Sequence, residues 1–330
     1  MSFSSSLPLQ AHPDLWGVPA TRVENACASG SAAVHLGVRS LLAGTARRVL
    51  VIGAEQMTHA APSVVAAALL GADYDFAGTG EPTGFTGRFA EVAAAYAHRH
   101  GPIGDDLARI AAKNHRNGAN NPNAHLQRDL GFEFCRTVSE RNPIVAGRLR
   151  RTDCSPVSDG AAALVLAREP IPGARTDPVR MLGWGQANDF LPNSRRDPLA
   201  FAATGLAVSR ALTHAGARLA DFSFVELHDC FTIAELILYE VIGLAEQGRG
   251  REAIREGWVE PDGRLPVNVS GGLKAKGHPV GATGVSQHVM AAMQLTGTAG
   301  RMQLPQADLA LVQNMGGLGV ANYAGVLAAW

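Results

Sequence analysis

Residues 21–53, TRVENACASGSAAVHLGVRSLLAGTARRVLVIG, hold three patterns in succession. Residues 21–26 are predicted to form a strand. Residues 30–42 carry Val34, Val38, Leu41 and Leu42 at helical spacing, and Gly44 follows as a stop. The run RVLVIG, residues 48–53, is apolar and β-branched, as a buried strand requires. Together they make one strand–helix–strand unit. Cys27 falls at the mouth of its helix, where free N–H groups and the helix dipole favour a thiolate.

The unit recurs. Residues 265–269 read as a strand, 281–295 as a helix with Val285, Val289, Ala292 and Met293 on one face, and 308–313 as an apolar strand. Each copy closes on a further strand, at 161–167 and at 320–328. Two copies of one α/β unit predict a tandem duplication, with helices packed on sheets. The divided halves are 1–170 and 171–330.

The copies are unequal. The second has room before residue 265 for a strand at 178–183, a helix at 199–215, a strand at 223–228 and an amphipathic helix at 232–246. The first has only residues 1–20 before its matching strand, so the repeat implies that roughly 65 residues are absent ahead of it. Conversely, the first copy carries a long insertion, residues 56–156, with helices expected at 88–98 and 105–115. Insertions at the carboxyl ends of sheet strands are where α/β folds build ligand sites, and this one is expected to act as a binding lid.

Composition sets outer bounds. The 330 residues balance 29 basic against 29 acidic side chains, which gives no electrostatic footprint for nucleic acid. No apolar run is long enough to span a bilayer, and the opening residues lack the basic and apolar regions of a secretory signal. The four cysteines, Cys27, Cys135, Cys154 and Cys230, lack metal-type spacing and read as reduced thiols, so a cytoplasmic location is expected.

Two more stretches carry chemistry. VELHDCFT, residues 225–232, ends a strand with His228, Asp229 and Cys230 before a helix. SGGLKAKGHPVGATG, residues 270–284, is a glycine-rich loop leading through His278 into the next helix. A histidine whose ordinary pKa lies near neutrality is suited to take a proton from a thiol. Lys274 and Lys276 read as solvated side chains. Cys27, His228, Cys230 and His278 all fall at strand-to-helix junctions, which converge on one edge of such folds.

ACASGSAAV, CSPVSDGAAALVLA, HDCF, SGGLKAKGHPVGATG and NMGGLGVA, in that order along the chain, resemble the thiolase superfamily. The match is to its sterol-carrier-protein-type branch, which includes acetyl-CoA acetyltransferases. The resemblance implies an α/β thiolase fold of two duplicated three-layer α/β/α halves, each with a five-stranded sheet. A loop domain is inserted in the first half, which here lacks its N-terminal strand–helix units. It implies an acyltransferase that makes or cleaves the C–C bond of a 3-oxoacyl-CoA through an acyl-cysteine. Cys27 matches the nucleophile, His278 its base, Cys230 the acid/base at C2, and His228 the holder of the enolate oxygen. Ser155 and Phe231 match residues near the pantetheine arm, and the backbone near Met315 and Gly317 matches an oxyanion hole. Many thiolases carry their second cysteine where this chain has Gln313, and a glycine where it has Met315. Coenzyme A thioesters are substrates, and no metal or further cofactor is implied. The family also implies a homodimer or homotetramer, and association with a small zinc-ribbon/OB-fold protein. The alternative reading is a catalytically poor thiolase-fold subunit that binds acyl-CoA or serves in a complex.

Overall fold

The computed structural model describes residues 3–330. Short 3₁₀ turns lead into α1 (Ser29–Leu42), followed by β1 (Arg48–Glu55). The insertion contributes α2 (Pro62–Leu70), α3 (Gly84–His100), α4 (Gly104–Gly118) and α5 (Gly131–Arg136). A small hairpin, β2 (Ile144–Ala146) with β3 (Leu149–Arg150), leads to β4 (Gly160–Ala167), which pairs antiparallel with β1 along its whole length.

The second half runs β5 (Val179–Asn188), α6 (Ala202–Ala215), β6 (Phe224–Glu226), α7 (Thr232–Val241), α8 (Gly250–Arg255) and α9 (Gly272–Lys276). It closes with α10 (Thr283–Leu295), β7 (Leu309–Gly316) and β8 (Ala321–Ala329). Its sheet has the order β5-β8-β7-β6, with only the β6–β7 pair parallel. Helices α1 and α10, the matching helices of the two repeats, pack against each other between the sheets.

Several expectations are corrected. Among the described residues the β1–β4 sheet has two strands and the sheet of the second half four, where three and five were expected. Residues 21–26 form no ladder: a strand exists only by pairing, and the segment meets the second-half sheet through side chains, with Asn25 Nδ2 donating to Tyr323 OH at 2.9 Å and Val23 packed beside Ala321 and Tyr323. Residues 265–269 make a single bridge, Val225 to Val267. Pro266 lacks an N–H to donate, and Asn268 turns the chain with φ of 55°. Helix α7 ends at Val241, not 246, because Gly243 at φ 84° breaks it.

The insertion is no lid over its whole length. Helix α4 buries one face in the second half, where Lys113 Nζ meets Glu235 Oε1 at 2.7 Å with both side chains wholly buried. By contrast, the outer face of the β1–β4 pair leaves Leu50, Ile52 and Val165 about half exposed. Among the described residues no helix is long and apolar enough to cross a membrane.

Candidate active site

The centre forms where α1 and α10 meet at their N-terminal ends. A Cβ on Gly30 would lie 2.6 Å from the Val285 nitrogen, and one on Gly284 2.2 Å from the Ser31 nitrogen. Only glycine at both positions lets the backbones approach so closely. This contact brings the segment before α1, with Cys27, against the loop before α10, with His278. From the first half, Glu55 at the end of β1 accepts the Gly281 N–H at 3.0 Å and steadies that loop.

Within this junction one donor atom from each of Cys27, His228 and His278 lies within 4.8 Å of the other two, and all three residues are buried. The two imidazoles meet edge to face, 5.1 Å between centroids and 85° between planes.

Hydrogen bonds assign the two rings opposite forms. The Thr283 hydroxyl gives its one proton to Pro279 O at 3.0 Å, so at its 2.7 Å contact with His278 Nδ1 it can only accept. His278 therefore carries its proton on Nδ1 and leaves Nε2 bare. At His228 the amide Nδ2 of Asn314 donates to Nδ1 at 2.8 Å, and also to Cys27 O at 3.2 Å. His228 therefore carries its proton on Nε2, a buried atom with no partner in the protein. One ring is a base and the other a donor.

Burial dominates the charges. Desolvation pushes the Cys27 thiol up to about 11, against the N–H groups of Gly317 and of Cys27 itself, which lower it. The thiolate expected from the helix end is thus overruled: α1 begins at Ser29, and the sulfur is buried. Desolvation and then the Lys276 charge hold His278 down to about 3, and His228 lies well below its ordinary range for the same leading reason. Cys230 is raised far above the ordinary thiol range by burial and then by charge on Cys27.

Asp229 organises the loop that carries His278. Its carboxylate accepts the backbone N–H groups of Leu273 at 2.7 Å and Lys274 at 3.1 Å, and so draws in the start of α9. A Cβ on Gly272, at φ 58°, would fall 2.3 Å from that carboxylate. Asn114 of α4 bridges Asp229 Oδ2 at 2.8 Å and Glu235 Oε2 at 2.6 Å. Lys274 and Lys276 are consequently buried, not solvated. Lys276 Nζ donates to Ser286 Oγ at 2.8 Å, with buried Glu226 acting on its charge.

The remaining expected residues fall nearby in different ways. Ser155 donates its N–H to Cys230 O at 3.0 Å, which ties the end of the insertion to the HDC turn. The Phe231 ring is taken up by stacking on Phe89 at 4.5 Å between centroids. Met315 is buried in the largest core cluster, while Gly317 turns at φ 61° beside the Cys27 sulfur.

Asn314, Thr283, Asn114 and Lys113 were not found by sequence reasoning. A signal did exist for the first: Gln313 and Asn314 are a polar pair inside the apolar strand LALVQNMG, and buried polar groups need partners. Gln313 Oε1 accepts the His228 N–H at 3.1 Å.

A thiol, a bare imidazole nitrogen and an imidazole N–H converging at the junction of duplicated α/β halves define a cysteine-centred site on a thiolase fold. The family model described as "Thiolase, N-terminal domain" matches residues 9–170, and "Thiolase C-terminal domain-like" matches residues 185–329. An acetyl-CoA acetyltransferase of Methanothermobacter thermautotrophicus is 36% identical over 310 residues, 93% of this chain and 79% of that protein. The chain belongs to the thiolase family. Sterol carrier protein 2 of Oryctolagus cuniculus is 31% identical over 326 residues, and the chain spans 57% of its length. Among solved structures, an Ltp2–ChsH2(DUF35) aldolase shares the fold at a TM-score of 0.75 and 24% identity, over 92% of this chain and 78% of that one.

Proposed function

We propose that the chain is an acyltransferase that makes or cleaves the C–C bond of a 3-oxoacyl-CoA through an acyl-Cys27 intermediate. The observation that carries this reading is the opposed pair of imidazoles beside the thiol. In the cleaving direction, the bare Nε2 of His278 takes the Cys27 proton as the sulfur attacks the C3 ketone. The backbone N–H groups of Cys27 and Gly317 receive the oxygen of that adduct. The C2–C3 bond then breaks, leaving its electron pair on the departing acetyl-CoA as an enolate. His228 Nε2–H, with His278, holds the enolate oxygen, and the Cys230 thiol protonates C2. Incoming coenzyme A gives its thiol proton to Cys230 as its sulfur takes the acyl group, and His278 returns its proton to the departing Cys27 sulfur. Aimed donors of this kind contribute about 3–4 kcal/mol each to such a transition state.

A thiol at about 11 beside an imidazole at about 3 rests as a neutral pair, so the proton crosses only as the attack occurs. For the other end of the substrate we assign the cleft of about 320 Å³ lined by Arg128, Arg141 and Arg151 with Asp129, Leu130 and Phe134. Its arginines suit the phosphates of coenzyme A. Arg151 lies four residues from Ser155, at most about 14 Å of chain. We divide the chain into functional halves at 1–170 and 171–330. A second copy, or a small zinc-ribbon/OB-fold protein, would cover the apolar outer face of β1 and β4. The aldolase neighbour, Ltp2–ChsH2(DUF35), is itself a two-component assembly by name.

The test is intact-mass spectrometry after brief exposure to acetyl-CoA, beside Cys27→Ala. One acetyl adduct, absent from the variant, is expected. A folded chain that gains no adduct, with longer acyl-CoAs also tried, would instead support a catalytically poor subunit.

A further inference from the structure

We propose that Cys27, His228 and His278 form a binding site for a single zinc ion, which closes the centre reversibly to acyl substrates. Their donor atoms lie within 4.8 Å of one another and are drawn from three separate segments of the fold. One sulfur and two imidazole nitrogens are a ligand set that zinc selects, and three protein ligands leave its fourth tetrahedral position open. A second, independent observation points to a ligand here: His228 Nε2 is buried with no partner in the protein.

Bonds of the length zinc prefers place ligand atoms about 3.5 Å apart. The cluster must therefore draw in by about 1 Å, which side-chain rotation inside one rotamer well supplies. His278 needs no rearrangement, since its Nε2 is already bare and Thr283 backs its Nδ1–H at 2.7 Å. Such a partner behind a ligating ring raises its hold on the metal.

His228 must change form. Its proton passes from Nε2 to Nδ1, and the Asn314 amide turns so that Oδ1 accepts it. That oxygen has no partner in the resting protein, so the turn satisfies it, while Nδ2 gives up Cys27 O. The Cys27 thiol releases its proton to solvent as the sulfur–zinc bond forms, with no change in oxidation state. The ion then stands where an acyl carbonyl must approach Cys27. The inference requires no turnover.

The experiment titrates the metal-free protein with CoCl₂ as a spectroscopic substitute and then displaces it with ZnCl₂. One equivalent of cobalt is expected to give a sulfur-to-metal absorption band, removed by one equivalent of zinc and by EDTA. Cys27→Ser and His278→Asn, each shown folded by circular dichroism, are expected to lose the band. Asn314→Asp is the more discriminating variant. Its carboxylate accepts the His228 Nδ1–H and frees Nε2, so zinc should bind about tenfold more tightly. The same change removes the donor that the enolate needs, so acyl transfer should fall. No band in the unaltered protein, an undiminished band in Cys27→Ser, or weaker zinc binding in Asn314→Asp would each overturn the proposal. The metal-binding readouts do not depend on acyl transfer, so failure here and failure of the proposed function are separable.

Discussion

At Cys27 the helix end and burial pull in opposite directions. A helix terminus stabilises a charge by about 0.3–1 kcal/mol, whereas two units of pKa correspond to about 2.7 kcal/mol. Burial wins, and the thiol rests protonated at about 11. Since the thiolate fraction grows as pH climbs toward that value, alkylation of Cys27 by iodoacetamide should still be accelerating at about pH 10. Following the Cys27 adduct by mass against pH checks this, and a plateau near pH 8 would contradict it. The motifs single out Cys27, His228, Cys230 and His278, and the structure draws Cys27, His228 and His278 together. The forms of the two imidazoles were not, because Asn314 and Thr283 fix them. Asn314 stands 86 positions from His228, and nothing local to HDCF announces it.

The element scale shows what hydrophobic periodicity can reach. It found α7, whose Ile233, Leu236 and Ile237 are all buried, and it found β1 and β4, whose partners are also apolar. It failed at residues 21–26 and 265–269, because an extended run becomes a strand only when a distant segment pairs with it. It also could not see that α4 belongs to the second half, since Lys113 and Glu235 are joined across 122 residues of chain. That pair gives a specific test. Lys113→Met leaves Glu235 buried without its cation and should cost about 3–5 kcal/mol in urea unfolding. Lys113→Met with Glu235→Gln removes both charges and should recover part of that loss. Equal destabilisation by the single and double changes would show that the ion pair is not what binds α4 to α7.

Over the whole molecule, duplication was legible because its motifs recur in order, and the strand count was not, because pairing is settled in three dimensions. The molecule also collects five buried histidines, His35, His115, His228, His278 and His288, each lowered chiefly by desolvation. Unfolding lets each bind a proton below about pH 6.5, so their contribution to stability is complete above that pH and is lost as pH falls. Asp229 and Glu226, raised by burial, oppose this, because the folded state holds their protons more firmly than the unfolded chain. The histidines outnumber the two acids, so the balance favours loss of stability as pH falls below about 6.5. Circular dichroism should therefore record cooperative acid unfolding between about pH 6 and 4, and a fold intact at about pH 3.5 would contradict it. The strand order carries one more consequence. β8 lies between β5 and β7, although both precede it in the chain, and every β5 ladder pair is with β8. During synthesis, at about 5–20 residues per second, β5 must therefore wait for well over a hundred residues before it finds its neighbour. The turn at Met315–Gly317 enters the same late step, so a nascent chain carries Cys27 for most of its time on the ribosome without the surroundings that define its chemistry.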